Sequence, residues 1–300
     1  MPDPIHLHTP DFLDSLKFEK RYSPHTIRSY QDDLSQFTRF LEKEFDNPGL
    51  AAINASLVRS WLAHLKEEGL TAKSINRKIS SLKGFFKWAM RLGLLTASPM
   101  MNIISPKTAK RLPTYIEQRD MDQLLHEVQF GDDLQGRTDK LIINLFYSTG
   151  MRLAEMVNLK EVQVDPDYKT VRVLGKGNKE RIIPIGEELL GQIKEYTALK
   201  RKELEPAGHP YLLVDKQGKQ LYHKAVYLIV KKYLQQVSTL HKLSPHVLRH
   251  TFATHLANNG ADLNAVKELL GHASLAATQI YTHNSIEKLK QVHQKAHPKS

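Results

Sequence analysis

The chain has 300 residues, more than one compact core usually holds, so two domains are expected. Hydrophobic residues make up 41% and charged residues 25%, which excludes disorder throughout, and the lack of cysteine excludes a disulfide framework, a zinc ribbon and a thiol nucleophile. The 43 Lys+Arg against 32 Asp+Glu leave a net charge of +11, which points to a polyanionic partner (nucleic acid, an anionic membrane or an acidic protein) or simply to a charge that keeps the chain soluble. No apolar run approaches the ~18 residues of a membrane span, the best being Leu141–Phe146 and Ala225–Val230. The opening MPDPIHLHTPDF shows no apolar stretch of a secretory signal. A cytoplasmic protein without membrane insertion is therefore expected.

The first hundred residues predict helices with marked starts. Thr9-Pro10-Asp11 and Ser23-Pro24-His25 each place a hydroxyl before a proline at a first helical position. The second helix carries Ile27, Tyr30, Leu34, Phe37 and Leu41 at helical spacing. A third covers roughly residues 57–68 and stops at Gly69; a fourth starts after Thr71 and ends at Gly93. Together they predict a small helical bundle. On the fourth helix the apolar Ile75, Ile79, Leu82, Phe85, Phe86, Ala89 and Met90 share one side. Lys73, Arg77, Lys83, Lys87 and Arg91 gather on the other, and Lys78 strays from both. No acid interrupts residues 73–91. Five cations lacking i,i+4 partners read as a phosphate-facing surface, set against the plainer reading of a solvated face.

Residues 98–113 (SPMMNIISPKTAKRLP) hold three prolines, three cations and no acid, the composition of a basic linker. Net charge divides as +3 over residues 1–105, +3 over 106–112 and +5 over 113–300. A basic strap between two basic domains suits a clamp closing around a duplex. Helices continue to Gly150, and then the period changes. Val162–Val164, Thr170–Leu174 and Arg181–Ile185 read as three short strands, with turns at Asp165-Pro166-Asp167 and Gly175-Lys176-Gly177-Asn178. Helices resume with a Ser244-Pro245 start, an Asp262 cap and a Gly271 stop.

Four stretches concentrate reactive side chains: Thr149–Glu155, the Gly175–Arg181 hairpin, Ser244–His250, and Leu270-Gly271-His272 followed by Tyr281. Each has a bland alternative. Arg152 has Glu155 three residues on as an ion-pair partner, Lys176 sits in a turn where lysines are usually just exposed, and Tyr281 has the neighbours of a core aromatic. His246 and His250 stand at i and i+4 like zinc ligands, but the glutamate of HExxH and a nearby third ligand are missing. The set as a whole reads differently. Two arginines, a lysine, two histidines and a tyrosine at turns and helix ends are what metal-free phosphodiester transfer requires, with guanidiniums gripping phosphate oxygens bidentately in place of divalent cations.

On these motifs (TGMRLAEM, GKGNKERIIPI, SPHVLRHTFATHL and LLGHASLAATQIYTH, in order) the sequence resembles the tyrosine recombinases, most closely the Xer-type bacterial ones. RYSPHTIRSYQDDLSQFTRFL resembles the family's core-DNA-binding domain and AHPKS the Xer ending; Met151 and Ala154 stand where leucine and serine are common. The resemblance implies a mainly α fold with a small β-sheet: an N-terminal SAM-like helical bundle (1–97), the basic linker (98–113), an α+β catalytic domain with a three-stranded antiparallel sheet (114–285), and a tail (286–300). It implies that Tyr281 is the nucleophile forming a 3′-phosphotyrosyl link, Arg152 and Arg249 the phosphate clamp, and Lys176 the general acid for the 5′-oxygen. His246 then assists proton movement at the tyrosine and His272 donates to a phosphate oxygen.

The tail carries Ile286, Leu289, Val292 and Ala296 as an apolar stripe. By residue pattern alone it suits packing on its own domain, whereas the resemblance implies docking on a neighbouring subunit within a DNA-bound tetramer. No cofactor and no metal are expected, and no GxxxxGK[ST] loop occurs. The implied partners are double-stranded DNA with a specific recombination site and an activating DNA translocase, the chain acting either alone or with a paralogous recombinase. The implied role is chromosome dimer resolution at cell division. The alternatives are a mobile-element integrase, against which stands the lack of an extra domain before the bundle, a type IB topoisomerase, and a DNA-binding protein without chemistry.

Overall fold

A computed structural model describes residues 3–108, 114–175, 180–204, 210–271 and 291–298. The chain forms two compact units, Met1–Arg111 and Leu112–Ser300, each with its own apolar core.

The first unit is helical. It comprises α1 (Ile5–Asp14), which runs into a π-helical turn (Ser15–Glu19), α2 (Pro24–Phe45), α3 (Ala55–Glu67) and α4 (Ala72–Arg91). Side-chain oxygens set three of the starts. Ser23 accepts the Thr26 N–H at 3.3 Å, Asn54 accepts those of Ser56 and Leu57, and Thr71 accepts that of Ser74. The start expected at Thr9-Pro10 is corrected, since α1 begins at Ile5 and carries Pro10 inside. Ile5 and Phe12 lie two turns apart on one face and are both fully buried, and that burial outweighs the N–H bond the proline removes. Phe12, Phe37, Trp61, Phe85 and Phe86 fill the core. Met100 and Ile103, in the segment read as linker, join it, and the Asn76 amide donates to the Pro106 carbonyl at 2.9 Å.

The second unit comprises α5 (Gln118–His126), α6 (Leu134–Thr149), α7 (Leu153–Val157), β1 (Val164–Asp165), β2 (Thr170–Leu174), β3 (Glu180–Pro184), α8 (Glu187–Glu203), α9 (His223–Leu234), α10 (Pro245–Asn258) and α11 (Leu263–Leu270). Residues 291–296 are also helical. Helix α6 is buried nearly all round, as its run Leu141–Phe146 requires, and packs against α8, α9 and α10. The sheet is antiparallel in the order β1-β2-β3, with Val171 opposite Ile183 and Val173 opposite Arg181. The first strand is shorter than expected: Glu161–Gln163 wind into a 3-10 turn and only Val164–Asp165 pair with β2. Among the described residues no helix is long and apolar enough to cross a membrane.

Residues 291–298 pack on their own unit, as their residue pattern alone suits. Ala296 is buried and Val292 packs against the core. The last carbonyls of α6 lack helical partners, and His293 and His297 reach them, with Nε2 at 2.9 Å from the Ser148 and Tyr147 oxygens. Ile286 and Leu289 lie outside the described residues.

Candidate phosphate-binding site

Three arginines from separate elements converge in the second unit. Arg152 immediately precedes α7, and the Glu155 carboxylate one turn on accepts its backbone N–H at 2.7 Å and its Nη1 at 2.8 Å. The plain ion-pair reading of Arg152 is thus present in the structure. It does not use up the side chain, which is one-third exposed and donates through Nη2 to the Gly271 carbonyl at 2.9 Å. Arg249 lies one turn into α10 and is almost wholly buried. It donates Nη1 to the Gly150 carbonyl and Nη2 to the Leu270 carbonyl at 2.6 Å.

Gly150 ends α6 with φ +57°, and a Cβ there would sit 2.4 Å from Cδ1 of Phe252. Only glycine both turns the chain and leaves room for the ring. That turn aims its carbonyl at Arg249.

The third guanidinium, Arg181, lies within the GKGNKERIIPI motif, yet no role falls to it from the sequence. Its side chain alternates with Ile183 on the inward face of β3 and is 4% exposed. It grips both Glu155 oxygens, at 2.7 and 2.8 Å, and donates Nε to the Leu269 carbonyl at 2.9 Å. A signal for it does exist: a period of two through Ile183 puts an arginine on a core face, where charge survives only when paired.

The electrostatics follow from these contacts. Burial pushes the Glu155 carboxyl up, but its bonds to Arg181, and then to Arg152, outweigh burial and hold it below the usual range. Burial, reinforced by Arg152 and Arg181, lowers Arg249 to about 10, so it stays cationic at neutral pH. Burial also lowers His246, with Arg249, His250 and Arg152 adding to the effect, so its imidazole is neutral and able to take a proton. Among the described residues, three guanidiniums against one carboxylate leave the cluster cationic. Such a place suits an anion with oxygens to share between Arg152 and Arg249.

The site brings together Arg152, Arg249 and His246 of the expected set. Lys176, His272 and Tyr281 lie outside the described residues. Among those described, no group of three His, Cys, Asp or Glu able to hold a metal ion occurs.

The cationic face of α4 needs a correction. It lacks acids of its own, but neighbouring elements supply them. Arg77 pairs with Asp33 of α2, and Arg91 pairs with Glu19 at 2.9 Å. The straying Lys78 is buried, 2.9 Å from the other oxygen of fully buried Asp33. Lys73, Lys83 and Lys87 are exposed and pair with no acid among the described residues.

Sequence comparison agrees with this architecture. The Phage integrase family pattern matches residues 114–288, and that of the Phage integrase, N-terminal SAM-like domain matches residues 10–93. The chain belongs to the phage integrase family and is a tyrosine site-specific recombinase. It is of the Xer type: it is 38% identical over 292 residues to the Tyrosine recombinase XerC of Staphylococcus epidermidis, and 37% identical over 289 residues to that of Staphylococcus aureus, with 96% of this chain and 96% of the relative covered in both cases. Among solved structures, it resembles in fold the XerH site-specific recombinase bound to palindromic difH substrate in a post-cleavage complex (TM-score 0.71, 24% identity, 94% of this chain and 83% of that one). It likewise resembles a lambda integrase dimer bound to a COC′ core site (TM-score 0.69, 17% identity, 92% and 99%).

Proposed function

We propose that this recombinase cuts and rejoins double-stranded DNA at a specific site through a 3′-phosphotyrosyl link on Tyr281, and that it resolves chromosome dimers at cell division. The observation that supports the chemistry most is the pair Arg152 and Arg249, held by backbone carbonyls beside a neutral His246. The Tyr281 oxygen attacks the scissile phosphorus. A phenol near pKa ~10 is protonated at neutral pH, so it must lose its proton, and neutral His246 takes it. The two guanidiniums offset the charge that builds on the non-bridging oxygens. The bond to the 5′-oxygen breaks, and Lys176 supplies the proton that leaves it as a hydroxyl. His272 donates to a non-bridging oxygen. Attack by another strand's 5′-hydroxyl reverses the step and expels Tyr281, so the bond energy is conserved and no ATP is needed.

Identity to XerC-named recombinases over nearly the whole chain supports the role in dimer resolution. The working assembly in this reading is a tetramer on DNA, formed with a paralogous recombinase and activated by a DNA translocase. Exposed Lys73, Lys83 and Lys87, with the outward part of Arg77 and Arg91, contact phosphates.

The test is a nicked suicide substrate carrying a candidate site, on which release of a short strand traps the covalent complex. Wild type should accumulate an adduct that maps to Tyr281, with or without chelator. Tyr281→Phe should bind the DNA and trap nothing. An adduct on another residue, or one that persists in Tyr281→Phe, overturns the assignment, and loss of the adduct with chelator overturns the metal-free chemistry.

A further inference from the structure

The Glu155 carboxylate sits between two cations with different tasks. Arg152 touches it through Nη1 and the backbone N–H, whereas Arg181 takes both of its oxygens in a planar fork. Arg181 is also the better buried, at 5% side-chain exposure against 33% for Arg152. A carboxylate so enclosed, left with Arg152 alone, would draw that guanidinium fully onto itself. Arg152 would then have little charge to give an incoming anion. With Arg181 in place, Glu155 is already neutralised, and it orients Arg152 without consuming it.

Arg181 also ties three elements together. It leaves β3, closes on α7 through Glu155, and bonds through Nε to the Leu269 carbonyl in the last turn of α11. Two residues on, the Gly271 carbonyl receives Arg152. The same guanidinium therefore fixes both supports on which Arg152 rests: the carboxylate and the carbonyl turn.

We propose that Arg181 is a positioning residue for the recombination reaction: by neutralising Glu155 and anchoring the end of α11, it leaves the Arg152 guanidinium free and aimed at the scissile phosphate. This inference rests on the phosphodiester reading above. Arg181 itself does not touch the substrate. Its contribution passes through Arg152, and so depends on the negative charge of the phosphate that Arg152 meets.

That dependence supplies the test. Covalent-complex formation is measured in single turnover with full-length protein on the suicide substrate, reading the rate constant separately from the final amplitude. Two substrates are compared, one with the ordinary scissile phosphate and one with a methylphosphonate that lacks the non-bridging charge. Arg181→Met should lower the rate constant on the phosphate about 100-fold, the size expected when a positioned group shifts by an ångström. On the methylphosphonate the loss should shrink to within about threefold of wild type, because little charge remains for Arg152 to offset.

Arg181→Lys keeps the charge but not the fork, so it should fall between the two and show the same substrate dependence. It also keeps the test open if Arg181→Met does not fold. Equal losses on both substrates, or a fall in amplitude with an unchanged rate constant, would reduce Arg181 to a stability residue and overturn the proposal. So would wild-type rates in both variants. If wild type itself forms no Tyr281 adduct on the phosphate substrate, the functional reading fails first, and that outcome is seen independently of either variant.

Discussion

Replacing Gly150 by alanine should destabilise the second unit by more than backbone strain alone. The residue holds φ +57°, and an L side chain pays roughly 1–2 kcal/mol for that region. The new Cβ would also stand 2.4 Å from Cδ1 and 2.8 Å from Cε1 of Phe252, a ring buried in the core that has nowhere to retreat. Overpacking of this kind costs about 1–3 kcal/mol. The sum of about 2–5 kcal/mol should lower the melting temperature by roughly 5–15 °C for a unit of this size. Gly260 provides the control, because it has φ +84° and a Cβ added there would meet nothing within 4 Å. Gly260→Ala should therefore show the strain alone, about 1–2 kcal/mol or a few degrees. Calorimetry on both variants separates the two effects. Equal shifts would refute the steric part. Because the Gly150 carbonyl receives Arg249, the Gly150→Ala protein should also cleave more slowly at temperatures where it remains folded.

Replacing Lys73, Lys83 and Lys87 together by glutamine should weaken DNA binding and lower the slope of log K against log salt by about 2–3 if each meets a phosphate; an unchanged slope returns that face to a solvated surface. Burial lowers the His293 pKa more than its bond to the Ser148 carbonyl raises it. The unfolded chain, with the ordinary value near 6.5, then binds the proton first, so stability present above that value should decline as pH falls below it toward the lower folded value. Thermal melts over a pH series running from neutral to mildly acidic should show this decline, and His293→Gln should lessen it, leaving the share of buried His255, whose pKa burial lowers likewise; a variant with the full decline would clear His293 of the effect. Lys176→Ala should cleave slowly on ordinary DNA and recover when the bridging 5′-oxygen is sulfur, a better leaving atom that needs no proton; no recovery would remove Lys176 as the general acid.

Much of the scaffold is legible in the sequence because local rules and packing agree along it. Ser23, Thr71 and Asp262 each precede a helix that the structure starts at the next residue, and their side chains take up its free N–H groups. The misses share a cause, since they are places where a distant partner overrides a local signal. Pro10 announces a helix start, yet burial of Ile5 carries α1 back to that residue. The α4 cations look unopposed within their own helix, yet Asp33 and Glu19 meet two of them from elsewhere. Asp33 does leave a trace, because it lies on the apolar stripe of α2 between Tyr30 and Phe37, a place that obliges a cation to come to it. Arg181 leaves the same kind of trace on β3. Arg152 and Arg249 are legible as members of motifs, but the carbonyls that hold them are not, since no residue type marks a backbone oxygen.

Those carbonyls explain how the cluster keeps its charge. Guanidiniums packed this closely need acceptors for their N–H groups, and carboxylates would meet the need while cancelling the charge that an anion must find. The fold supplies helix ends instead. Gly150 closes α6, and Leu269, Leu270 and Gly271 close α11, so their oxygens carry the partial negative charge of unpaired terminal carbonyls. They give Arg152, Arg181 and Arg249 acceptors in the right directions while adding no full negative charge. The one carboxylate among the described residues of the cluster, Glu155, gives both of its oxygens to the Arg181 fork and only shares them with Arg152. A site built this way is cationic before its anion arrives, and its donors need little rearrangement when charge builds on the phosphate. Adding a second carboxylate within the cluster should accordingly damage cleavage more than removing one hydrogen bond to a carbonyl.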